Sequence, residues 1–176
     1  MSPQEQVPDA DQAIHSATSP LAVVRVDAHY RVLAAHAHLA GSLLLRLDGN
    51  VVAEPSRFSV QVGINRHIAT PEGDLETALD QQMWRFLNHS CAPNAVFRGL
   101  DLLAIHDIAP WEQVTFDYNT TELELATPFR CQCGAARCVE WIRGYTHLSV
   151  TQKRHRAAYA ASYLIGASTD ADIETD

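Results

Sequence analysis

Four cysteines are the first residues in this chain whose types and spacing could do chemistry. Cys131, Cys133 and Cys138 form C-x-C-x4-C, and Cys91 stands 40 positions upstream. In a reducing compartment a structural disulfide is disfavoured. A tetrahedral zinc site with four thiolate ligands would use every cysteine and leave none over. Gly134, inside the cluster, lets the backbone wrap tightly around an ion. Spacing alone leaves four unrelated thiols as the alternative. A second group of polar residues lies close by, in the runs RFLNHSCAPN (85–94) and EQVTFDYN (112–119). Taken singly these residues have ordinary readings. Asn88 and His89 fit a polar turn, Tyr118 a core tyrosine with a satisfied hydroxyl, and Phe86 and Phe116 a β-rich core. The chain has nine histidines, but they are scattered and do not form a ligand set of their own.

The elements that must position these residues are short. Apolar runs at 21–26, 30–35, 42–47, 50–53 and 58–62 read as strands, separated by turn residues such as Asp48-Gly49-Asn50 and Glu54-Pro55-Ser56. A loop at 70–74 precedes a helix over 75–87, where Leu75, Leu79, Met83, Phe86 and Leu87 fall near helical spacing. Strands are expected near 95–98, 101–106 and 113–118. An amphipathic helix is expected over 151–165 with Thr151 at its N-cap. Many short strands with few helices predict a mostly β, α+β domain of several small sheets.

Composition bounds the rest. The chain has 176 residues, 47% hydrophobic and 19% charged, enough for one domain with a core. Its formal charge of -8 resides in two ends: residues 1–20 carry three acids and residues 169–176 carry four, with no Lys or Arg in either. Both ends read as disordered tails, and the stretch between them is nearly neutral. It lacks the basic stripe of a nucleic-acid surface, so direct nucleic-acid binding is not expected. No run approaches the roughly 18 apolar residues of a membrane span, and the first 20 residues do not read as a secretory signal. A cytoplasmic location is the expectation.

Taken in order, the three motifs resemble the SET-domain family of protein-lysine methyltransferases. The run Asn88–Asn94 matches the hallmark N-H-S-C-x-P-N, and Glu112–Tyr118 matches an acid-led strand ending F-D-Y. The C-x-C-x4-C matches the family's post-SET segment. The resemblance spans roughly 21–165 and includes PSRFSVQVGINRHI (55–68) and IRGYTHLSVTQ (142–152).

The resemblance implies a SET domain at 21–125, a post-SET zinc segment at 126–150, a C-terminal helix at 151–167 and an acidic tail at 168–176. It implies a pseudoknot in which 86–91 and 115–119 lie side by side. It also implies S-adenosylmethionine as cofactor, Asn88, His89, Arg31 and Trp141 as cofactor contacts, Tyr118 as the catalytic residue, and Phe86 and Phe116 lining a lysine channel. Cys91 becomes the fourth thiolate of a zinc site with Cys131, Cys133 and Cys138. The implied substrate is a protein lysine. Two alternatives stand beside it: the same scaffold acting on a small molecule or doing different chemistry, and a degenerate domain serving as a binding module. The oligomeric state is not legible. Three family glycines are replaced. The early Gly-x-Gly turn falls on His29 and Arg31, and the glycine before the F-D-Y strand falls on Trp111.

Overall fold

The computed structural model describes residues 19–26, 28–70 and 75–171. Most of the expected leader, the loop at 71–74 and the end of the acidic tail lie outside the described residues. Twelve strands are described: β1 (Leu21–Val26), β2 (His29–Ala34), β3 (Leu43–Arg46), β4 (Asn50–Val52), β5 (Val60–Gly63), β6 (Arg66–Ala69), β7 (Asn88–His89), β8 (Ala95–Arg98), β9 (Asp101–Ala104), β10 (Thr115–Phe116), β11 (Phe129–Arg130) and β12 (Trp141–Ile142). Three helices join them: α1 (Leu75–Gln81), α2 (Val150–Arg156) and α3 (Ser162–Ala171).

The strands form small sheets. β1 and β2 make a hairpin, and two three-stranded antiparallel sheets have the orders β3-β9-β8 and β4-β6-β5. Apolar side chains from β1, β2, β8 and β9 meet in one core with Trp84, Leu87, Val114 and Phe116. A smaller core of Tyr145, Leu148, Ala160 and Leu164 holds the C-terminal part.

The pairing that matters for function is parallel. β7 and β10 run side by side with Asn88 opposite Thr115 and Phe116 opposite His89. Ser90 N donates to Phe116 O at 3.1 Å and extends the contact. The expected meeting of 86–91 with 115–119 is therefore present. Asn94 secures it from one end. It is buried; its Nδ2 donates to Glu112 Oε1 at 2.9 Å and Gln113 O at 2.8 Å, and its Oδ1 accepts from Thr115 N at 2.8 Å.

Several expected elements are shorter than their apolar runs, for local reasons. The strand foreseen over 113–118 keeps only Thr115–Phe116, because Asp117 caps a 3-10 turn at Tyr118–Thr120 by accepting from Asn119 N. The helix foreseen over 75–87 stops at Gln81 and resumes as a 3-10 turn, Met83–Phe86. There Trp84 Nε1 reaches Asp48 O at 3.2 Å, and Leu87 turns extended to enter β7. The C-terminal helix is two helices. Its N-cap is Ser149, in a capping box with Gln152, and not Thr151. The break follows because the Arg156 side chain turns inward to Asp117 and Ala161 N donates to Thr120 O at 2.9 Å.

Two backbone positions show how tightly the chain is wound. Trp111, at the replaced family glycine, has φ +66°. The turn keeps its left-handed geometry without glycine, at about 1–2 kcal/mol of strain. Gly144 has φ +114°, and a Cβ there would collide with the Leu123 carbonyl. Its N–H donates to Asn119 Oδ1 at 3.2 Å.

Asp117 and Arg156 form a buried ion pair at 2.6 Å, with both side chains almost fully out of solvent. Removing one partner of such a pair strands the other charge. Arg156→Ala is expected to destabilise the chain by about 3–5 kcal/mol in denaturant titrations. A loss under 1 kcal/mol would show that Asp117 needs no counter-charge.

Candidate functional site

The 3-10 turn after β10 sets Tyr118 at the wall of a cavity of about 530 Å³. Asn88, His89, Phe116, Phe129, Cys131 and Cys133 line the same cavity. Tyr118 Oη donates to Leu87 O at 2.6 Å. Its one proton is thus committed, and its oxygen lone pairs remain available as acceptors. Burial, aided by the Glu122 charge, pushes the phenol pKa well up, so the hydroxyl stays neutral. Phe116 and Phe129 flank the ring, with centroids 4.7 and 6.0 Å from it.

His89 joins two parts of the site. Its Nδ1 accepts from Tyr118 N at 3.2 Å. That bond fixes the proton on Nε2, which lies 3.2 Å from Cys91 Sγ and donates to it. Burial pushes the imidazole down to about 4, with Asp117 only partly opposing, so the ring is neutral. Asn88 Nδ2 donates to Tyr30 O at 2.8 Å and ties β7 to the β1–β2 hairpin.

The four sulfur atoms all lie within 4.8 Å of one another. Cys133 N points at Cys131 Sγ and Glu140 N at Cys138 Sγ, each at 3.4 Å. With His89 on Cys91, three N–H groups face sulfur, the arrangement that stabilises thiolates on a metal. Burial pushes the Cys131 thiol up to about 11. Against the same burial, hydrogen bonds from Ala135 and Cys91 backbone and from neighbouring thiols bring Cys133 down to about 7. Those bonds favour the thiolate form of Cys133, and a cation's charge favours loss of the remaining protons. The donor set fits zinc in closed tetrahedral coordination.

Other expected contacts lie elsewhere. Arg31 is exposed on β2, paired with Val24 through the hairpin, and neither it nor His29 lines the cavity. Trp141 is 53% exposed on β12 and also outside the lining. Phe86 packs on Tyr30 with centroids 5.0 Å apart rather than facing the cavity. Phe116 belongs both to the core and to the lining. Among the lining residues that sequence reasoning passed over, three lie close to the motifs. Arg85 opens the first hallmark run, Glu122 follows Tyr118 by one helical turn, and Phe129 sits two places before Cys131. Their proximity to the motifs was the available signal.

Comparison with known proteins agrees with this geometry. The model of the SET domain family matches residues 9–119. The chain belongs to the SET domain family. A histone-lysine N-methyltransferase of Oryza sativa subsp. japonica, TRX1, is 25% identical over 126 residues, covering 62% of this chain and 12% of that protein. The H3 lysine-4 specific histone-lysine N-methyltransferase of Schizosaccharomyces pombe is 30% identical over 115 residues, 61% of this chain and 10% of its own length. This chain thus spans about a tenth of those relatives. Among solved structures, KRYPTONITE in complex with mCHG DNA and SAH superposes with TM-score 0.53 at 23% identity, covering 69% of this chain and 28% of that one. That likeness supports the fold of small sheets.

One zinc per chain is the expected result of metal analysis on purified protein. A Cys131→Ser/Cys133→Ser double variant should lose it and melt at a lower temperature. Protein that carries no metal and melts unchanged after chelation would exclude the thiolate site.

Proposed function

We propose that this chain is an S-adenosylmethionine-dependent methyltransferase acting on a lysine side chain of a protein. The observation that carries the reading is the parallel β7–β10 pair, which brings Asn88 and His89 beside Tyr118 on one cavity. Its volume is in the range of small-ligand sites. The relatives' names, histone-lysine N-methyltransferases, support a protein substrate, and the SAH in the KRYPTONITE complex supports the cofactor.

S-adenosylmethionine supplies a methyl group on a sulfonium, open to in-line attack by a neutral amine. The residues of the chain do the rest. The apolar walls, Phe116 and Phe129 among them, disfavour a charged amine and lower its pKa. Tyr118 Oη, its proton held by Leu87 O, offers lone pairs to the amine N–H and to the polarised methyl C–H groups. His89 keeps the Tyr118 backbone in place from Nδ1. Asn88 keeps the hairpin against β7 and also lines the cavity. Positioning of this kind lowers the barrier by converting an encounter into a held geometry.

The thiolate set would hold zinc through Cys91, Cys131, Cys133 and Cys138 and close the C-terminal segment over the site. Four free thiols support a reducing, cytoplasmic setting. Among the described residues no helix is long and apolar enough to cross a membrane. The near-neutral stretch between the acidic ends supports recognition of protein without direct nucleic-acid contact.

Calorimetry with S-adenosylmethionine and mass spectrometry of peptide pools test the reading. Tyr118→Phe should lower kcat and leave cofactor affinity nearly unchanged, because the hydroxyl acts on methyl and amine. Asn88→Ala should weaken cofactor binding by about 1–3 kcal/mol through an unpaired polar partner. Wild-type protein that binds no S-adenosylmethionine at millimolar concentration would sink the proposal.

A further inference from the structure

One group at the cavity is not used by the chemistry above. Glu122 lines it, and among the described lining residues it is the one carboxyl. It is only 5% exposed. Its backbone N–H donates to Tyr118 O at 3.0 Å, so it stands one helical turn beyond the tyrosine and shares its wall. Oε1 accepts from Gln61 N at 2.8 Å and from Thr121 Oγ1 at 3.2 Å. No Arg or Lys is hydrogen-bonded or ion-paired to it among the described contacts, unlike Asp117, which has Arg156. A carboxyl buried for structure alone is better replaced by an amide, which makes the same bond to Gln61 N without the desolvation penalty.

We propose that Glu122 is the acceptor for the substrate's ammonium group in this cavity, holding it beside Tyr118 and taking its proton before methyl transfer. This rests on the methyltransferase reading above. The balance is simple. The Glu122 carboxylate takes one proton from R–NH3+, leaving R–NH2 and a neutral carboxyl. The amine lone pair then forms the N–C bond as the methyl–sulfur bond of the sulfonium donor breaks, and the bond pair leaves on sulfur as a neutral thioether. The proton on Glu122 passes to water at the cavity mouth.

Electrostatics support the assignment. Burial pushes the Glu122 carboxyl up to about 7, and its bonds to Gln61 and Thr121 only partly oppose this. A base works best when its pKa is near the operating pH. The groups facing it are Tyr118 on its own turn and Tyr163 from α3, both held neutral by burial with Glu122's charge adding to the effect. His67 faces it at one remove, across the β5–β6 pair from Gln61, and burial lowers its pKa. Arg57, Arg85 and the neutral His89 share the cavity. The two arginines stack on Phe58, with guanidinium carbons 5.3 and 4.9 Å from its centroid. An entering ammonium therefore finds Glu122 as its one carboxyl partner among the described lining residues.

Two readouts test the proposal, one without turnover. In the wild-type protein with 13C-labelled Glu carboxyls, Glu122 should titrate with a midpoint near 7 by NMR. Adding n-butylamine, the probe for the ammonium, should lower that midpoint by about one unit or more. A midpoint that n-butylamine does not move overturns the proposal. The second readout is the pH profile of methyl transfer to a single-lysine peptide. Glu122→Gln keeps the acceptor for Gln61 N, and its fold is checked by melting. It should lose about 100-fold or more in kcat/KM at neutral pH. The limb near pH 7 should disappear and S-adenosylmethionine affinity should be unchanged. Transfer within threefold of wild type and an unaltered profile overturns the base role. If wild type transfers no methyl yet n-butylamine shifts the midpoint, the methyltransferase reading falls and the ammonium site stands.

Discussion

A single buried carboxylate organises this protein. Asp117 is 2% exposed and follows β10 directly. Its Oδ1 accepts from Asn119 N and Nδ2, and its Oδ2 accepts from Arg156 Nε. A charge so placed is tolerable only when its lone pairs are filled by donors, one of them cationic. Meeting that condition stops the strand, starts the 3-10 turn that presents Tyr118, and draws α2 inward. Asn119 passes the constraint on by accepting from Gly144 N. The C-terminal segment is therefore fixed to the Tyr118 turn by hydrogen bonds as well as by the cysteine cluster.

The cysteine cluster and the tyrosine are coupled through one imidazole. His89 accepts from Tyr118 N and donates to Cys91 Sγ, and each role dictates the other through the tautomer. A bound cation at the thiolates would strengthen the N–H···S bond and hold the ring. The arrangement gives the histidine of the hallmark run a side-chain function inside the protein. Its backbone is left for whatever occupies the cavity.

Much of this was legible in the residues, and the limits of legibility are physical. The hallmark runs 88–94 and 112–118 and the C-x-C-x4-C announced the site because their chemistry demands particular side chains at particular spacings. The first five strands were visible as apolar runs because Val23, Val32, Leu44 and Val60 must be buried. β6, β7, β11 and β12 were not visible. In β6 the apolar Ile68 and Ala69 are mixed with Arg66 and His67. The other three have two residues each, and each exists because a partner elsewhere in the chain supplies the bonds. The split of the last helix was hidden for a related reason. Arg156 reads as a solvated residue until Asp117, 39 positions earlier, is placed beside it. Glu122 was missed because an acid alternating with leucine in TTELEL looks like surface. Arg31 was chosen by correspondence with a family position and Trp141 for its place just after the last cysteine, and both are exposed on their strands.

The order in which the chain is made acquires significance from one pair of contacts. Tyr163 Oη lies 2.7 Å from Gln61 O and 2.8 Å from Thr121 O, so α3 fastens β5 to the segment that carries Glu122. Contacts across such sequence separations form late, because a long loop must close before they contribute. A growing chain leaving the ribosome holds Asn88, Tyr118 and the cysteines long before it holds this fastening. Tyr163 is synthesised after every described residue that lines the cavity. A nascent chain can therefore fold its first hairpin while this fastening is still absent, and ligand capture waits for α3.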